Sequence, residues 1–150
     1  MAQKISGVIT GLQTMLQTVA VTVGGATFDL DNKVFKYLPS PNDLRAGDIF
    51  GTIFWSFPDQ AQSLSQSVHA YELEFQVFAY DTRTDHILEV LAEVWDAIVE
   101  AWVADQRLGG AIIAGEIRGA SPTLGTLSFN GQDYYAVSGF IDCHIDRAAA

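Results

Sequence analysis

Between Thr84 and Gln106 the apolar residues Ile87, Leu91, Val94, Ile98 and Trp102 recur every three or four positions, flanked by Leu88, Trp95 and Val99. That is the period of an amphipathic helix. Glu89, Glu93, Asp96 and Glu100 fall on its opposite face. Thr84 or Asp85 suits the start as a cap, and Arg107 with Gly109 and Gly110 suits the end. One wide apolar stripe on one helix predicts a sheet for it to cover. A first helix is predicted over residues 3–19, where Ile5, Val8, Ile9, Leu12, Met15, Leu16 and Val19 share a face. Gly7 and Gly11 within it each cost about 1 kcal/mol of helix stability against alanine. They suit a place where another backbone comes close.

The remaining pattern alternates, as strands do. Val19–Val23 and Ala26–Leu30 flank Gly24-Gly25 and predict a hairpin. Residues 31–48 read as mostly irregular, with Pro39 and Pro41 restricting the chain. Asp48–Phe57 is aromatic and β-branched and reads as a strand covered in part on both faces. The polar run 59–67 predicts a mobile loop, either a plain hairpin loop or a segment whose Gln60, Gln62, Leu64 and Gln66 order on a partner. Val68–Tyr80 is the clearest strand: Tyr71, Leu73, Phe75, Val77 and Ala79 lie on one side, Glu72, Glu74, Gln76, Phe78 and Tyr80 on the other. After the main helix come a short strand, Ala111–Arg118, and a second hairpin, Leu124–Phe129 with Asp133–Ile145, around Asn130-Gly131. On its last strand Tyr135, Val137, Ile141, Cys143 and Ile145 share a face. The expected fold is α+β: a single domain over 1–150 with a mixed or antiparallel sheet and two main helices packed on it.

Composition narrows the function. A length of 150 residues fits one domain with a real core. Eight basic residues against eighteen acidic give a net charge of −10, which repels a phosphate backbone. The single cysteine, Cys143, excludes an intrachain disulfide and fits a reducing compartment. Met1–Val19 carries too many polar residues for a signal h-region or a membrane span.

Reaction chemistry finds no footing in these residues. The carboxylate row Glu89, Glu93, Asp96 and Glu100 faces outward on one helix, with no second ligand-bearing element opposite it. His69, His86 and His144 stand in no metal-ligand spacing, and Cys143 falls on a core face. No phosphate loop or nucleophile elbow is present. The expectation is no enzyme, no cofactor and no metal. The outward aromatics Phe78, Tyr80 and Phe140 suit a subunit contact instead, together with the loop residues Gln60, Gln62, Leu64 and Gln66.

The order of elements resembles the tail terminator (tail completion) proteins of long-tailed bacteriophages. The resemblance rests on the Ile5–Leu16 helix and the Leu38-Pro39 segment leading into Ile49–Phe57. It continues through the polar loop, the Tyr71–Tyr80 strand running into the Asp85–Gln106 helix, the Leu108–Arg118 segment and the Gly131–Ile145 strand. The Val19–Leu30 hairpin departs from it. The resemblance implies a structural virion protein without cofactor or catalytic residue. It would form a hexameric ring on the head-proximal end of the tail tube, stop polymerisation and dock to the head connector. The implied partners are further copies of the chain, the tube protein and a connector or neck protein, with DNA only as passing cargo through an acidic lumen and no membrane. A head–tail joining protein is the alternative within the same setting. A soluble acidic module that binds a basic protein through the helix row is the alternative outside it.

Overall fold

The computed structural model describes residues 3–36, 49–56, 68–79, 84–119, 126–129 and 132–147. In chain order these form helix α1 (Ile5–Gln17), strands β1 (Ala20–Val23), β2 (Ala26–Asp29), β3 (Val34–Phe35), β4 (Ile49–Ser56) and β5 (Val68–Ala79), and helix α2 (Thr84–Ala104). A short 3-10 turn at Leu108–Gly110 and strands β6 (Ala114–Gly119), β7 (Thr126–Phe129) and β8 (Gln132–Asp146) follow. The fold is α+β, with both helices on one side of a mixed sheet.

The sheet runs β3-β4-β5-β8-β6, and β7 pairs with the first residues of β8. Its centre is the antiparallel pair β5–β8, in register from Val68↔Asp146 to Ala79↔Tyr135. Period-2 alternation on both strands then sorts the side chains. Leu73, Phe75 and Val77 of β5 and Ile141, Cys143 and Ile145 of β8 point to one face and are buried. Val8, Leu12 and Leu16 of α1 and Ile87, Leu91, Val94 and Ile98 of α2 close over them in one core. Burying each such side chain contributes about 1.5–3 kcal/mol relative to exposure.

Glycines in the sheet make room for the tryptophans of α2. A side-chain carbon on Gly139 would lie 2.3 Å from Phe75 Cζ and 2.7 Å from Trp95 Cζ3. Trp95 stacks on Phe75 at 6.1 Å between centroids, with the rings 15° from parallel. Gly119, paired with Gly139 across the strands, also sits under the Trp95 ring. Trp102 occupies the same kind of space over Gly115.

β1 and β2 form a separate two-stranded hairpin, as the sequence predicts. Gly24 and Gly25 carry φ of 60° and 82°, the left-handed conformation that a two-residue hairpin turn of this hand needs. Val23 and Phe28 turn inward, and Leu30 N–H donates to the Val19 carbonyl at 3.0 Å to close the base.

Several expectations change at the level of detail. α2 stops at Ala104 rather than Gln106, because Asp105 takes over the last turn. Its carboxylate accepts from the backbone N–H groups of Arg107 at 3.3 Å and Gly109 at 2.8 Å. The buried stripe of α2 leans the other way: Val90 is buried, whereas Leu88 is 36% exposed. Residues 31–48 are not wholly irregular, since Val34–Phe35 pairs parallel with Gly51–Thr52 and makes the sheet mixed. β6 begins at Ala114, later than Ala111, because Leu108, Gly109 and Gly110 all have positive φ and hold the chain in a turn. Of the two helix glycines only Gly11 meets a close neighbour: a side chain there would start 3.0 Å from the Leu108 carbonyl, whereas Gly7 faces open space. The loop 59–67 lies outside the described residues.

Candidate protein-interaction surfaces

The sheet face turned away from the helices carries one candidate surface. Pairing register sets Phe54, Glu74, Phe140 and Arg118 side by side across β4, β5, β8 and β6. The Arg118 guanidinium lies 4.4 Å from the Phe140 ring centroid, a cation–π contact. From there its Nε donates to Asp142 Oδ2 at 2.8 Å and its Nη2 to Glu72 Oε2 at 2.7 Å. One arginine therefore clasps three strands. The hydrogen bond to Asp142, the largest of the causes, raises its already high pKa. Its side chain is 49% exposed, so solvent screening keeps the stabilising effect of the clasp small.

The predicted interface residues fare differently. Phe140 is half-buried under Arg118. Phe78 is not an outward surface residue: it is 5% exposed and stacks on Phe50 at 5.0 Å, in a second small core with Ala136 and Phe35. The alternation placed it on the correct face but could not show that this end of the face is covered. Tyr80, Gln60, Gln62, Leu64 and Gln66 lie outside the described residues. Phe54 and Trp55, on the strand expected to be covered in part on both faces, are the most open large hydrophobics of the described strands: Phe54 is 41% exposed and Trp55 46%.

The helix layer carries a second surface. Glu89, Glu93, Asp96 and Glu100 are all exposed, as expected, and none has a cation partner among the described residues. Beside the row runs an apolar stripe: Leu88, Ala92, Val99 and Val103, of which Val103 is 64% exposed.

No group of three or more His, Cys, Asp or Glu side chains among the described residues is placed to hold a metal ion. His69 pairs with Ile145 and His144 with Ala70, so alternation sets the two imidazoles on opposite faces of the sheet. Cys143 is buried in the main core, where burial first and the nearby Asp142 charge second push its pKa up to about 12. Such a thiol packs as a small hydrophobe. No helix among the described residues is long and apolar enough to cross a membrane. No family model and no curated protein matches the chain.

Proposed function

We propose that this chain is a structural virion protein of the tail-terminator kind. It assembles into a ring, hexameric by resemblance, that caps the head-proximal end of a phage tail tube. The ring stops tube polymerisation and presents a docking surface to the head connector. The observation that carries the reading is the order of elements: helix, aromatic strand, long strand running into the amphipathic helix, then the last long strand. That order is the one the resemblance rests on, apart from the β1–β2 hairpin, which departs from it, and the α+β fold with two helices on one side of a mixed sheet is compatible with the reading. Two physical features support it further. A charge of −10 per copy would line a ring through which DNA slides without sticking. The exposed Phe54 and Trp55 are large apolar side chains that subunit contacts typically bury.

The test is electron microscopy of particles assembled without the protein. Overlong tails with no heads attached are the expected result, since loss of a cap leaves the tube unchecked. Tails of normal length beside separate filled heads would move the chain to the head–tail joining role. Intact virions would overturn the phage reading.

A further inference from the structure

The charged residues of this chain sort into those that find partners within it and those that do not. Arg118 is held by Glu72 and Asp142, Lys33 lies 3.9 Å from Asp29, and Arg147 donates to the Tyr71 hydroxyl. Among the described residues Lys4, Lys36 and Arg107 have no carboxylate partner. Two of them stand on one groove, and the third adjoins it in sequence. Lys4 lines a groove of about 710 Å3 between Gln3 and the α1 residues Gly7 and Gly11 on one side and the Leu108–Gly110 turn on the other. Lys36 donates to the Thr10 hydroxyl on the same groove at 2.9 Å, and Arg107 immediately precedes the turn.

The same groove contains the start of α1, which lacks what such an end usually has. Its cap position is Lys4, no side chain caps it, and its first turn holds no acidic residue. The free N–H groups and the positive end of the helix dipole both favour an anion there, and Lys4 adds a full positive charge. The groove walls are small, since Gly7 has nothing within 4 Å of where a side chain would start.

The carboxylates without cations form the complementary set. Glu89, Glu93, Asp96 and Glu100 follow one another at intervals of three or four, so each repels the next across a helical turn. α2 contains no lysine or arginine to relieve them. The apolar stripe beside them sits on the Trp95 side of the helix, over β6, whereas α1 runs along the Ala101 and Ala104 side. The acidic ridge and the cationic groove are thus two different surfaces.

We propose that the outer flank of α2 docks into the α1 groove of a second copy of this chain. A carboxylate of the row caps the partner's α1, the remaining row meets the cations at the rim, and Leu88 and Val103 are covered in the contact. Because one surface meets a different one, copies add head to tail, and a head-to-tail contact closes into a ring when its rotation permits. This inference rests on the ring reading and names the contact that would build it.

The test uses two variants of the full chain, sized by sedimentation against concentration. One reverses the row (Glu89→Lys, Glu93→Lys and Glu100→Lys). The other reverses the groove (Lys4→Glu, Lys36→Glu and Arg107→Glu). All six positions are exposed, and circular dichroism checks that both variants fold. Each variant alone is expected to need at least about tenfold more protein than wild type for half-assembly. An equal mixture of the two is expected to regain assembly larger than a dimer, because the reversed row of one matches the reversed groove of the other. Wild-type assembly by both variants would overturn this contact and leave the ring reading standing. So would a mixture that stays small while wild type assembles. A wild-type chain that remains monomeric even on purified tail tubes would overturn the ring reading and this contact with it.

Discussion

Gly139 leaves space that the packing of α2 requires. A side chain there would push into both Phe75 and Trp95, two rings already stacked on each other. Gly139→Ala is expected to destabilise the fold by about 1–3 kcal/mol through this overpacking. Thermal unfolding followed by tryptophan fluorescence checks it, and an unchanged midpoint would show that the indole can move aside at no cost. Cys143 makes a prediction in pH. Its pKa in the fold is about 12, against 9.0 for the ordinary thiol. The unfolded chain therefore loses this proton first as pH rises. The stabilising effect of the protonated thiol is complete below pH 9.0 and disappears as pH climbs toward about 12. Cys143→Ala is expected to cost about 1–2 kcal/mol near neutral pH. The gap to wild type should narrow in urea unfolding at about pH 10.5; a gap independent of pH would mean that the site takes up water.

For whole elements, the acidic row gives α2 a prediction with two readouts of opposite sign. Glu93→Lys replaces two like-charge neighbours with favourable pairs, to Glu89 one turn before and Asp96 one turn after. It is expected to raise stability by roughly 0.5 kcal/mol while weakening assembly. A variant that loses stability would mean that Glu93 already serves the fold. Element by element, much was legible in the sequence. The two helices, the Gly24-Gly25 hairpin and the faces of β5 and β8 follow from periodicity, because burial acts on every residue of those segments. β3 was not legible: two residues, Val34 and Phe35, are too few to show a period, and their pairing depends on β4, far along the chain. Nor was the lean of α2 toward Val90, which is set by where α1 and β1 pack and not by α2 itself. For the candidate surfaces, the carboxylate row was readable as a solvated face. The groove itself was not readable, since Lys36 and the Leu108–Gly110 turn stand far from Lys4 in sequence and are brought to α1 only by the fold.

Among the described residues one side of the sheet is closed by helices, and the other is open around Phe54 and Phe140 but covered around Phe78. Phe140 lies on the open side, and Arg118 already shields it. Phe140→Asp is expected to leave the fold intact, since the new carboxylate sits beside that guanidinium, and to weaken ring formation. Light scattering at high protein concentration reads the result, and unchanged assembly would remove this face from the ring contact. The sheet also imposes an order in time. β8 is the last of the described strands in the chain, yet it lies between β5 and β6 and receives β7 as well. Until it is synthesised, β5 lacks its longest partner and β6 has no partner among the described strands. The core under α1 and α2 has no Ile141 or Ile145 to close on. Such far-apart pairings are slow to form. The described fold should therefore lack stable tertiary structure until β8 has been made, and then close in one cooperative step. Neither docking surface would be displayed until that step is complete, which guards against premature joining of half-made copies.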